Sequence, residues 1–159
     1  MRVLNPSVPH IEKVHNCQQA YVLRTRHWTG NNLWSPHPVL EAQLLDMEPP
    51  LWPQLEELLH ALLQAVALPD RVCEGHPQSN GRGTIVLEAS EAALGRCVLQ
   101  QALELLALSA TQRAVEWAAA LARIRFVIDE ECLGPSTACI ANAALQRYLP
   151  AYRLFPKGN

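Results

Sequence analysis

Arg24, Arg26 and His27, followed at once by Trp28 and a few positions later by Trp34, form the densest basic and aromatic cluster in the chain. Along an extended strand successive side chains turn to opposite faces, so Arg24 and Arg26 share one. Two guanidinium forks on one face can grip carboxylates bidentately, and a neighbouring indole offers a stacking surface to a cation. The same residues also suit a solvated strand face beside two partly buried tryptophans, and both readings stand at this level. A second candidate is Gly134-Pro135-Ser136-Thr137, which runs directly into a helical pattern. Ser136 or Thr137 is then an N-cap, and the free N–H groups of that helix end suit a carboxylate or phosphate. Capping alone also accounts for these residues.

Other chemistries find less support. The chain has no Walker A motif, no G-x-G-x-x-G, no G-x-S-x-G and no zinc-finger spacing. Asn80-Gly81-Arg82-Gly83 is glycine-rich but lacks the lysine and the strand-before-helix setting of a phosphate loop, and reads as a turn. His60-Ala61-Leu62-Leu63-Gln64 puts His60 and Gln64 one helical turn apart, as a zinc helix needs. Leu63 cannot act as a base, and glutamine is a poor zinc ligand. His15 with Cys17, and Cys73 with His76, offer two ligands where a structural zinc needs four. We expect no catalytic residue, no metal and no cofactor.

The elements that must position the Arg and Trp cluster follow from hydrophobic periodicity. Residues 19–27 and 39–47 read as strands, separated by the turn signal Thr29-Gly30-Asn31-Asn32 and the Ser35-Pro36-His37-Pro38 kink. Leu55, Leu58, Leu59, Leu62, Leu63 and Val66 keep a 3.6-residue period, which predicts a helix near 54–67 starting after Trp52-Pro53. Asp70 to Gly83 is polar and turn-rich, and reads as a long surface loop. Thr84 to Glu88 reads as a buried strand, Ser90 as an N-cap, and helices are expected near 91–108 and 112–126. A short helix over 138–147 and a terminal strand at Tyr152 to Phe155 complete the pattern.

These elements predict one domain over residues 1–159 of the α/β (α+β) class: two layers, a small antiparallel or mixed sheet packed against three to four helices. A chain of 159 residues that is 49% hydrophobic can close a real core. A formal net charge of −2 provides no whole-chain field for nucleic acid or an anionic membrane, so neither is an expected partner. The five cysteines are odd in number and scattered, without a C-x-x-C pair, which suits reduced thiols in the cytoplasm, with Cys97 and Cys139 on apolar faces. The first residues show neither a signal peptide nor a transit peptide, and no apolar run reaches a bilayer span.

Three segments in order carry a family resemblance. Asn31-Asn32-Leu33-Trp34-Ser35-Pro36-His37, with the strand from Val39 after it, is similar to a G-P-N-x-W-S segment. Glu88-Ala89-Ser90-Glu91-Ala92-Ala93-Leu94-Gly95-Arg96 is similar to an E-Y-x-x-E-x-x-G-R strand-to-helix segment. Leu133-Gly134-Pro135-Ser136-Thr137-Ala138-Cys139-Ile140, with Ala143-Ala144 and Pro150, is similar to an L-G-P-S-T-x-x-I ending. Over residues 22–154 the chain thus resembles the N-terminal domain of cyanophycin synthetases, which build a poly-aspartate chain bearing arginine on its side chains.

The family's synthetic chemistry lies in downstream ATP-grasp and Mur-ligase-like domains, and this chain stops at Asn159. In some members the domain carries an H-x-x-E-H helix resembling a zinc hydrolase site, of which only His60 survives here. The resemblance therefore implies a non-catalytic accessory module that holds the Asp/Arg polymer or docks to a synthetase. A ligand with carboxylates and guanidinium groups needs both charge signs, which Arg24, Arg26 and Arg96 with Glu88 and Glu91 could supply, beside Trp34, Ser136 and Thr137. The alternatives are a degenerate zinc-dependent peptidase-like domain and a purely structural docking subunit. Self-association is left open.

Overall fold

Alternation along Val39–Leu45 decides which way the sheet faces. Leu40, Ala42 and Leu44 are buried, whereas Glu41 and Leu45 are half-buried and Gln43 is exposed. The computed structural model describes residues 20–29, 32–68, 73–78, 81–132, 140, 143, 144 and 147. Within them the order is β1 (Tyr21–Trp28), β2 (Val39–Leu45), α1 (Leu51–Ala65), β3 (Cys73–Pro77), β4 (Gly83–Glu88), α2 (Ala92–Leu106) and α3 (Ala110–Glu131). The strands form one antiparallel sheet in the order β1-β2-β4-β3. This is the α/β, two-layer arrangement expected from the sequence.

Cross-strand register extends the facing of β2 to its neighbours, because directly opposed residues share a face. Ala42 stands opposite Thr25 and Ile85, and Leu40 opposite His27 and Leu87. This side meets the helices. A Cβ added at Gly95 of α2 would lie 2.9 Å from the Leu40 Cβ, so only glycine lets the helix approach β2 this closely. Trp52 of α1 packs against Gly75 and Gly83 of β3 and β4 in the same way.

The core lies between these layers. Leu55, Leu58, Leu59 and Leu62 of α1 and Val98, Leu99, Ala102 and Leu105 of α2 are buried against Leu44, Ile85 and Leu87 of the sheet. Truncating one such leucine to alanine typically costs about 2–5 kcal/mol. Helix α3 packs on α2 through Trp117, Ala120 and Ile124, and Arg125 Nη2 donates to the Ala65 carbonyl at the end of α1, at 3.4 Å.

Arg113 of α3 is fully buried and shows how α2 ends. Its Nε donates to the Leu105 carbonyl at 2.9 Å, which also accepts from the Leu108 N–H, and its Nη2 donates to the Leu108 carbonyl at 3.0 Å, just past the helix end. Burial pushes the Arg113 pKa down, and the Glu57 carboxylate partly opposes that.

Several expected boundaries move. Residues 73–77 form strand β3 rather than part of a surface loop. CEGHP has no strand composition, and its pairing to β4 is supported by Trp52 and by the Gly75 N–H donating to Glu56 Oε1 at 2.7 Å. Helix α1 begins at Leu51, with Pro53 inside its first turn, where a missing N–H costs nothing. Glu91, not Ser90, is the N-cap of α2, without a side-chain capping bond. A full capping box falls instead at Ser109 and Gln112 of α3. Residues 140, 143 and 144 are helical, and the terminal strand expected at 152–155 lies outside the described residues. Among the described residues no helix is long and apolar enough to cross a membrane.

Candidate functional site

The sheet face turned away from the helices gathers four of the eight predicted binding residues. Arg24 pairs with Gln43 and Arg26 with Glu41, so both guanidinium groups stand on this outer face, and both are exposed. Trp28 shares the face and is 42% exposed, its Nε1 donating to Glu41 Oε2 at 2.9 Å. Across β2, the register adds Thr84, Val86 and Glu88 from β4. Glu74 and His76 come from β3, opposite Val86 and Thr84.

The connection between β1 and β2 folds back over one end of this face. Asn32 organises it: its Oδ1 accepts from the Trp34 and Ser35 N–H groups, each at 2.9 Å, and its Nδ2 donates to the His37 carbonyl at 2.9 Å. Short polar side chains favour such local turns because they replace missing main-chain partners. The Ser35 hydroxyl donates to the Glu88 carboxylate and accepts from the His37 N–H at 3.0 Å. At the junction with α2, the Ala89 N–H donates to the Pro38 carbonyl at 3.0 Å, and His27 Nε2 lies 2.9 Å from the Ala89 carbonyl. Trp34 reaches as far as β3, its ring centroid 4.9 Å from that of His76 with a 35° tilt. Val86, turned to this face between Glu41 and Glu74, is fully buried.

The outer face thus carries two exposed cations at one edge and carboxylates at Glu41, Glu88 and Glu74 farther across. His76 Nε2 lies 3.6 Å from Glu74 Oε2, so the far edge is acidic apart from a histidine. A ligand bearing both charge signs finds both here, with an indole at each edge, Trp28 on β1 and Trp34 against β3.

Of the residues singled out from sequence, Arg24, Arg26, Trp34 and Glu88 share this face. Glu91 lies beyond the β4 end, at the start of α2. Arg96 is exposed on α2, within the helix layer, so the sheet separates it from Arg24 and Arg26. Ser136 and Thr137 lie outside the described residues. Sequence reasoning missed Glu41, Glu74 and His76 as members of the face. Alternation in β2 carried a signal for Glu41; nothing local marked Glu74 and His76, whose strand forms only through pairing with β4.

In α1 the hydrolase-like spacing around His60 includes a residue that serves the core. Leu63, at the position where a hydrolase helix would carry its base, is a core residue, 3% exposed. Among the described residues no three His, Cys, Asp or Glu side chains gather into a metal-sized cluster. A separate groove of about 470 Å³ runs between α2 and α3, lined by Gln101, Glu104, Leu105, Leu108, Glu116 and Arg123. Arg123 Nη1 donates to Gln101 Oε1 at 2.8 Å and lies 3.8 Å from Glu104 Oε2, which also accepts from Gln101 Nε2 at 3.0 Å. These three side chains satisfy one another, which leaves the groove less to offer a ligand than the open face.

No family model matches the chain, and no curated protein matches its sequence.

Proposed function

We propose that this domain is a non-catalytic binding module whose outer sheet face holds an Asp/Arg-rich polymer of the cyanophycin kind. One observation carries the reading: Arg24 and Arg26 stand exposed on the same face as Trp34 and Glu88. Arginine forks match carboxylates, and an indole suits a stacked guanidinium. The resemblance of the Asn31–His37, Glu88–Arg96 and Leu133–Ile140 segments to the cyanophycin synthetase N-terminal domain supplies the polymer. The reading places the protein in the cytoplasm, which suits the free thiol of Cys97.

Each contact is modest, since an exposed charge pair contributes roughly 0–1 kcal/mol. Affinity arises from several such contacts along one polymer chain, and it falls as salt rises. The test is a titration of cyanophycin at low and high salt, with wild-type protein and an Arg24→Ala, Arg26→Ala double variant. Binding at low salt that weakens with salt and is lost in the double variant is expected. No binding at low salt, or binding that survives the double substitution unchanged, removes the reading in favour of a subunit that docks to a synthetase.

A further inference from the structure

Strand β1 is an edge of the sheet, with β2 on one side and none of the described strands on the other. Every second residue of an edge strand turns its main-chain N–H and C=O outward. Among the described residues, no main-chain group bonds to that side of β1. The register breaks between Val22 and Arg24 and then runs unbroken from Arg24 to Trp28. This regular stretch carries both exposed arginines on one face.

A strand edge that none of the described strands covers can recruit one, and the charges on it decide which. Antiparallel pairing with a second copy about Thr25 would set Arg24 opposite Arg26 of that copy, and like charges directly opposed destabilise a ladder. A strand with carboxylates at alternate residues reverses the sign. Its acidic side chains fall on the outer face opposite Arg24 and Arg26, about 4.5–5.5 Å away at Cβ, while its other residues fall beside the half-buried Thr25 and His27.

From this geometry we infer that the β1 edge takes up an extended peptide segment with carboxylates at every second residue, which pairs with Arg24–Trp28 as a fifth strand. The inference rests on the carboxylate-binding reading of Arg24 and Arg26 and adds main-chain pairing to it. Main-chain bonds supply the affinity in strand addition, and alternate side chains supply the selectivity.

The experiment compares an alternating Asp–Thr peptide with one of the same composition whose aspartates are clustered, using the full chain and amide exchange read by NMR. The alternating peptide is expected to bind roughly tenfold more tightly, in line with two cross-strand charge pairs. It should also slow exchange at alternate β1 amides between Leu23 and Trp28. Equal binding of the two peptides without β1 protection overturns strand addition and leaves the carboxylate reading standing. Binding of neither peptide overturns both. Protection that rises with protein concentration in the absence of peptide assigns the edge to a second copy and overturns the inference. Protection that persists in the Arg24→Ala, Arg26→Ala variant overturns the charge selection.

Discussion

The indole of Trp34 and the imidazole of His76 stack 4.9 Å apart, which fastens the β1–β2 connection to the strand at the opposite edge of the sheet. The contact joins the connection that leaves β1 to strand β3, with β2 and β4 lying between the two strands.

Replacing His76 with alanine removes the stacking partner without touching the core. Aromatic contacts of this kind contribute about 0.5–1.5 kcal/mol, so the global denaturant midpoint should fall only slightly. Exchange at the Trp34 indole N–H and at the amides of residues 32–38 should accelerate far more. Unchanged exchange at those positions means that the stack does not hold the connection.

Asn32 should matter more than its position in a turn suggests. Asn32→Ala removes an acceptor for two N–H groups and a donor to His37, and should cost about 1–3 kcal/mol. Asn32→Asp keeps the acceptor and should recover a large part of that loss. Chemical denaturation of the two variants decides it, since equal stabilities would show that the side chain does not organise the turn.

Arg113 tests the logic of a buried charge. Methionine at this position keeps most of the volume but removes the side-chain donor to the Leu108 carbonyl and leaves the Leu105 carbonyl with the Leu108 N–H, for a loss of about 1–3 kcal/mol. Lysine retains a buried charge while losing the planar fork that reaches both carbonyls, so it should be the more damaging substitution. A lysine variant as stable as wild type would contradict this account.

The Cys97 thiol is pushed above its usual range, chiefly by burial and then by the Glu104 carboxylate, with Arg123 pulling the other way. At pH 8 it should therefore alkylate more slowly than an unperturbed thiol, and Glu104→Gln should speed it up. The sign for stability follows. The folded state holds the proton more tightly, so this contribution is intact below about pH 8.5 and is lost as pH rises through the folded-state value. Alkylation rates and denaturation midpoints across pH 7–10 check both.

Much of this architecture was legible without coordinates. The 3.6-residue leucine period of α1, the apolar face of α2 from Leu94 to Leu105 and the alternation in β2 are local patterns, and each specifies an element and its buried side. Alternation likewise placed Arg24 and Arg26 on one face, because the strand period is a property of the backbone. What the sequence could not decide is which separate segments share that face. Strand β3 exists because β4, Trp52 and Glu56 receive it, and no residue within CEGHP announces this. Glu41, Glu74 and His76 therefore joined the candidate site only through antiparallel register, and Arg96 was removed from it because α2 packs on the other side of the sheet. Local periodicity follows from backbone geometry, whereas the strand order, and with it the edge position of β1 among the described strands, depends on long-range packing that no single segment encodes.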